Sequence, residues 1–257
     1  MKTNKTRKIP WYADETGFYS EWYFEIVGIE PKNENAPVEC GFLEKVLKLK
    51  KGAKMLDLCC GHGRITNVLA SRGYDMTGQD INRLYLSIAK KNADEKGLKI
   101  KWVKKDMRQI PFKNKFDAVI NMFTSFAVFS SDEEDEKVIK QVSKSLKRGG
   151  KFVMDYVNKD FIIRRYLFED RRKIKNGYVK IKREYNHVKS SHRDTFDIYI
   201  KGKLVKHIEN DFRFYSVTEL TSMMKRNGFK ILNVYGDFNF APLSFDTKNC
   251  IIVAEKV

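Results

Sequence analysis

With 257 residues, 42% hydrophobic and 13% aromatic, and with charges spread rather than blocked, the chain can bury a core and is not a disordered polymer. No apolar run approaches the ~20 residues of a membrane span, and the opening MKTNKTRKIPW lacks the apolar stretch of a secretory leader, so a cytoplasmic protein without a membrane partner is expected. A formal net charge of +17 leaves two readings, a polyanionic partner or a lysine-rich solvated surface.

Residues 11–29 are dense in rings (Trp11, Tyr12, Phe18, Tyr19, Trp22, Tyr23, Phe24) and break at a polar loop, 31–37, which predicts a helical arm. From residue 40 apolar side chains take a helical period through Phe42, Leu43, Val46 and Leu47. A strand at 54–59 follows, then a helix through Ile65, Val68 and Leu69 closed by Gly73, a strand at 75–79 and a helix at 82–97. Strands at 99–103 and 116–121, a helix opening at Ser131 and a strand at 151–157 complete the alternation. Ser131 with Glu134, and Ser216 with Glu219, have capping-box spacing, and the second pair opens a helix ended by Gly228. Alternating strands and helices with short joints predict an α/β fold with a parallel sheet covered on both faces.

Between 173 and 215 the period becomes 2 in YVKIKREY, TFDIYIKG and LVKHIENDFRF, with a Lys-Gly turn before the last, which predicts an inserted antiparallel meander. Strands at 230–235 and 250–255 then close the sheet as a hairpin. The domain reading is an arm at 1–39, a core at 40–160 and 216–257, and a β lid at 161–215.

Lys outnumbers Arg 36 to 14, whereas bidentate phosphate recognition favours Arg, so nucleic acid is not the favoured partner. The densest basic stretch is 161–210, with 14 Lys/Arg against 6 Asp/Glu. Cys40, Cys59, Cys60 and Cys250 form no C-x-x-C pair, and Cys59 and Cys60, adjacent on one strand, point to opposite faces; no metal and no disulfide framework is implied.

In a parallel sheet ligands sit beyond the carboxyl ends of the strands, where strand order reverses. The first strand runs there into MLDLCCGHGRI, whose Gly61-His62-Gly63 turn lets backbone approach a ligand and opens a helix with unpaired N–H groups. Asp80, ending the second strand, can accept both hydroxyls of a ribose. Two details separate the nucleotide classes. The position three beyond Gly63 is Thr66 rather than the third glycine of a dinucleotide fingerprint, and Asp57 beside the turn would repel a pyrophosphate but attract an ammonium.

MLDLCCGHGR, TGQDIN around Asp80, KKDM around Asp106, FDAVINMF and LKRGGKFVMD, in that order, resemble the motifs of class I S-adenosylmethionine-dependent methyltransferases, over about residues 11–257. The resemblance implies a Rossmann-like seven-stranded sheet with its last strand antiparallel, and NMFTSF with RFYSVTEL resembles a small-molecule subgroup carrying an inserted β lid. It implies that Asp57, Cys59, Gly61 and Gly63 line the methionine part of S-adenosyl-L-methionine. Asp80 and the following Ile81 would hold the ribose, Asp106 and Met107 would flank the adenine, and Asn121 would offer a backbone carbonyl. Arg64 either pairs with the methionine carboxylate or lies on an exposed helix face, and His62 contacts ligand through backbone. Cys59 stands where the family usually has glycine; a small cysteine in a strand conformation is expected to be tolerated.

In-line displacement at an activated methyl needs chiefly an aligned acceptor and excluded water. Tyr12, Tyr19, Asp155, His187 and Tyr215 are the candidate acid–base groups. After the fourth strand stands Asn121-Met122-Phe123-Thr124 rather than an N-P-P-Y element, and no Pro-Cys pair occurs, which argues against two nucleobase chemistries. The expectation is methyl transfer to a small molecule by a monomer or homodimer. An RNA methyltransferase docking through the basic lid, and a non-catalytic nucleotide-binding module, are the alternatives.

Overall fold

In a computed structural model the described residues are 10–13, 15–27, 35–129 and 131–257; the basic tail and much of the polar loop at 31–37 lie outside them. The ring-rich stretch makes a 3-10 turn, Trp11–Ala13, and a short helix α1 (Trp22–Val27) instead of one continuous arm. Helix α2 (Ala36–Leu47) starts before the expected residue 40, with a proline in its first turn whose missing N–H has no intrahelical partner to lose. The alternation then runs β1 (Lys54–Leu58), α3 (Arg64–Ser71), β2 (Asp75–Asp80), α4 (Arg83–Asp94), β3 (Lys101–Lys104), β4 (Phe116–Asn121), α5 (Asp132–Ser145), β5 (Leu146–Val157) and α6 (Lys159–Arg164). The chain continues through β6 (Glu169–Ile174), β7 (Gly177–Asn186), β8 (Ser191–Ile200), β9 (Lys203–Arg213), α7 (Val217–Arg226), β10 (Phe229–Tyr235) and β11 (Asn249–Lys256).

Seven strands form one sheet in the order β10-β11-β5-β4-β1-β2-β3. The pairs among β1 to β5 are parallel, whereas the final strand β11 is antiparallel to both β5 and β10. Strand order reverses where β1 separates β2 from β4, which places the crevice outside the carboxyl ends of those strands. The central strands are apolar on both faces: Leu56, Val119 and Phe152 pack toward α5 and α7, while Met55, Ala118 and Val153 pack toward α2 and α3. Ser216 and Glu219 make a full capping box at α7. Ser131 caps α5 only halfway, because the Glu134 carboxylate turns away to Arg108 and Lys137.

The insertion is a four-stranded antiparallel sheet, β6-β7-β8-β9. Its first strand, EDRRKI, lay outside the expected period-2 runs, since charges occupy both faces and only Ile174 is buried. The turn Lys201-Gly202 has positive φ at both residues, 49° and 78°, the geometry that joins twisted strands with two residues. Inward, Val179, Ile181, Phe196, Ile198 and Ile208 share one apolar cluster with Phe18 and Ile26 of the N-terminal stretch. Burying this set against the lid joins N-terminal stretch and lid through one core.

Candidate active site

At the carboxyl ends of β1, β2 and β4 opens a cleft with an internal volume of about 140 Å³. Its walls come from the strand ends, the β4–α5 loop and the ring-rich N-terminal stretch.

Asp57 is the next-to-last residue of β1 and only 2% exposed. Thr66 Oγ1, one turn into α3, donates to its carboxylate at 2.5 Å. Burial nevertheless dominates and pushes the carboxyl up to about 7, against the opposing pull of Thr66 and of the Arg64 guanidinium. Beyond Leu58 the chain leaves the strand, and Cys59 adopts φ 62°, in the left-handed region. The expected strand conformation of Cys59 is therefore incorrect: the backbone is of the kind glycine favours, and the thiol stands with Sγ 3.4 Å from Met107 Sδ.

The turn that follows is tied to Asp80. Gly61 N–H donates to Oδ2 and Asn82 N–H to Oδ1, each at 2.8 Å. The Ile81 backbone N–H adds a third donor, leaving the carboxylate one lone pair, and burial raises the group despite these bonds. Asn82 caps α4 by accepting from Tyr85 N–H at 3.0 Å and reaches back to donate to the Tyr19 carbonyl at 2.6 Å, fastening the N-terminal stretch to the cleft.

Asp106 is gripped by the guanidinium fork of Arg108, Nε to Oδ1 at 3.0 Å and Nη2 to Oδ2 at 2.6 Å. The same guanidinium donates to Glu134 Oε2 at 2.5 Å and to the Tyr12 hydroxyl at 3.2 Å, so the third strand's end, α5 and the N-terminal stretch meet at one cation. Arg64 ion-pairs with Glu39 at 2.5 Å, the side chains 11% and 9% exposed, which excludes the exposed helix face considered for it. It also lines the cleft.

Asp57, Cys59, Gly61, Arg64, Asp80, Ile81, Asp106 and Met107 thus all line one space. Gly63 and Asn121 do not. A Cβ on Gly63, which has φ 80°, would stand 2.9 Å from Ala89 Cβ, so this glycine lets the start of α3 close against α4. The Asn121 amide donates to the Leu58 carbonyl at 2.8 Å and steadies the end of β1.

Of the acid–base candidates, Tyr12 and Tyr19 line the cleft. Asp155 lies behind its wall, accepting from Phe123 N–H at 2.9 Å. Tyr215 is buried with its hydroxyl 2.7 Å from an Asp132 oxygen and 2.9 Å from an Asp135 oxygen, its single proton shared between the two carboxyls. His187 stands in the β7–β8 connection, its ring against Tyr185 and outside the cleft lining. Residues not singled out complete the wall, among them Tyr23, Tyr85, Met122, Phe123 and Phe129. The ring density of residues 11–29 signalled Tyr23 and that of NMFTSFAVF signalled Phe123 and Phe129, whereas Tyr85 carried no such signal. His62 also lines the cleft, with its ring 5.3 Å from Phe24; burial and then Arg64 push its imidazole down to about 4, so it is neutral near pH 7.

The lid's outward face carries Arg171, Lys173, Lys180, Lys182 and Arg193 beside Glu169, Glu184, Asp197, Glu209 and Asp211 in facing or neighbouring positions. Arg193 is paired with Asp211 at 2.8 Å. Arg171 faces Lys180 directly, but Glu169 faces Lys182 and Asp197 faces Lys180, so acidic side chains are interspersed among the basic ones.

Residues 55–150 match the family model described as "Methyltransferase domain". The chain is 24% identical over 224 residues to a ubiquinone biosynthesis O-methyltransferase of Coxiella burnetii (strain Dugway 5J108-111), covering 87% of this chain and 82% of the relative. A solved S-adenosylmethionine-dependent methyltransferase from Clostridium acetobutylicum ATCC 824 superposes with a TM-score of 0.78 at 18% identity, covering 91% of this chain and 96% of its own. The CcbJ methyltransferase from Streptomyces caelestis follows at 0.76 and 15%, covering 87% and 95%. At these identities the two structures are alike in fold.

Proposed function

We infer that this chain, which carries a class I S-adenosylmethionine-dependent methyltransferase domain, transfers the cofactor's methyl group to a small molecule held in the cleft. The observation that carries this reading is the placement of Asp57, Asp80 and Asp106 at three strand ends around one cavity, with Met107 between them. That donor set fits the cofactor. Asp57 meets an ammonium and would repel a pyrophosphate, the remaining lone pair of Asp80 meets a ribose hydroxyl, and Asp106 Oδ2 retains a lone pair for an adenine amino group beside the apolar face of Met107. Bound there, S-adenosylmethionine supplies a sulfonium-activated methyl group.

The chain's own work is binding, orienting and drying. Arg64, held by Glu39, offers its remaining guanidinium nitrogens to a carboxylate. The rings of Tyr12, Tyr19, Phe123 and Phe129 exclude water and bound the acceptor. A neutral His62 beside the turn adds no charge to repel a sulfonium. The domain reading, N-terminal arm and lid as a cap on a nucleoside-binding core, belongs to this proposal, as does a cytoplasmic location; among the described residues no helix is long and apolar enough to cross a membrane. The relative named for O-methylation favours an oxygen acceptor.

Calorimetry with S-adenosylhomocysteine tests the cofactor half: micromolar-order affinity is expected, falling at least tenfold in Asp80→Ala. Preference for NAD would overturn it. A metabolite-extract screen read out by product mass tests the acceptor half, and methylation of RNA in place of any metabolite would replace it.

A further inference from the structure

The β4–α5 loop supplies Met122, Phe123, Ser125, Val128 and Phe129 to the cleft, and its backbone is strained. Phe123, Thr124 and Ala127 have φ of 61°, 52° and 67°, the left-handed region, and none is glycine. Such conformations persist only where the surroundings over-determine them. Three restraints do so here. Phe123 N–H donates to Asp155 Oδ2 at 2.9 Å, Thr124 N–H to the Asp155 carbonyl at 3.0 Å, and the Ala127 carbonyl accepts from Arg213 N–H at the end of the lid at 3.1 Å. Asp155 is itself fixed, 3% exposed, with Oδ1 accepting from Asn249 on β11 at 2.6 Å.

We propose that Asp155 is a positioning residue: through Phe123 and Thr124 it holds the β4–α5 loop in the shape that forms the acceptor side of the cleft. The acceptor part rests on the methyltransferase reading; the holding of the loop does not. Asp155 does not line the cleft, so it touches no substrate, and its carboxylate acts through a backbone amide. The charged groups around it are Glu39 on α2 and Arg64 on α3, which pair with one another, and the Arg64 guanidinium also lies 5.7 Å from the Phe123 ring. Burial pushes the Asp155 carboxyl up to about 6 against its two hydrogen bonds. Protonation removes negative charge but leaves one oxygen to accept from Phe123, so loop protection should weaken by no more than about threefold below that pH.

The test is amide hydrogen exchange of Phe123 and Thr124 in the full chain, alongside S-adenosylhomocysteine calorimetry. Asp155→Ala should speed exchange at Phe123 at least tenfold while changing S-adenosylhomocysteine affinity less than threefold. Asp155→Asn should stay within threefold of wild type, since the amide oxygen still accepts from Phe123 and Asn249 can turn its own amide to meet the new NH₂. It should also lose the pH break near 6. Should Asp155→Ala fail to fold, Asn249→Ala serves in its place, with a three- to tenfold increase expected. Unchanged exchange at Phe123, or Asp155→Asn as fast as Asp155→Ala, would overturn the proposal. With an acceptor from the screen in hand, loss of turnover in Asp155→Asn with the loop still protected would also overturn it, in favour of a proton-transfer role.

Discussion

Cofactor affinity should depend on pH through Asp57, and the size of the effect follows from its surroundings. Burial raises this carboxyl from the ordinary 3.8 to about 7 in the free protein. An ammonium pairs with the carboxylate and not with the acid, so binding must first expel the proton. With a value near 7 the group is ionised about a tenth of the time at pH 6 and about three quarters at pH 7.5. Affinity for S-adenosylhomocysteine should therefore rise about eightfold over that interval, roughly 1.2 kcal/mol, at 1.36 kcal/mol per decade. About 0.9 proton should be released per binding event at pH 6 and about a quarter at pH 7.5. Calorimetry in buffers of different ionisation enthalpy reads both quantities. Asp57→Asn keeps an acceptor for Thr66 but removes the charge; it should weaken binding at pH 7.5 by about 2 kcal/mol and flatten the pH dependence. A flat wild-type profile, or an Asp57→Asn profile as steep as wild type, would refute the pairing. Stability carries the opposite sign. A carboxyl raised on folding stabilises fully below its unfolded value and loses that contribution as pH rises through its folded value, so the melting temperature of the free protein should fall between pH 5 and pH 8. For Asp57 alone the ceiling is about 4 kcal/mol.

Cys59→Gly should raise the melting temperature slightly, by up to about 1 kcal/mol of relieved backbone strain less the lost sulfur contact, with S-adenosylhomocysteine affinity within threefold; a clear destabilisation would mean the Met107 contact outweighs the strain. Gly63→Ala should cost about 2–3 kcal/mol by denaturant unfolding, because the new methyl meets Ala89 at 2.9 Å on a left-handed backbone. Glu39→Ala leaves the buried Arg64 uncompensated and should cost about 3 kcal/mol or more, whereas Glu39→Ala with Arg64→Met together should recover most of it in a double-mutant cycle.

The parallel core was legible because its signals are local. β4 matches its expected bounds, 116–121, and capping residues marked the starts of α5 and α7. The first lid strand was not, since EDRRKI offers no apolar face and is a strand only because β7 pairs with it. The site divides similarly. Asp57, Asp80 and Asp106 could be placed because each lies within two residues of a strand's carboxyl end. Cys59 could not, because a left-handed residue at a strand's end is set by the turn that follows and by Asn121 gripping the Leu58 carbonyl, a partner 63 positions away. Tyr215 was ambiguous for the same reason: only the fold reveals that its hydroxyl is taken by Asp132 and Asp135.

Phe18 and Ile26 complete the lid's inner core, while Tyr19 and Asn82 bolt the same stretch to the start of α4 at the cleft. Lid and N-terminal stretch consequently share one apolar core despite lying about 150 residues apart. A chimera that grafts only the inserted sheet onto another methyltransferase core would leave that sheet's apolar face open, and one that carries both pieces should keep its selectivity. Divergence of acceptor choice among such enzymes would then proceed by paired changes at two distant points of the gene.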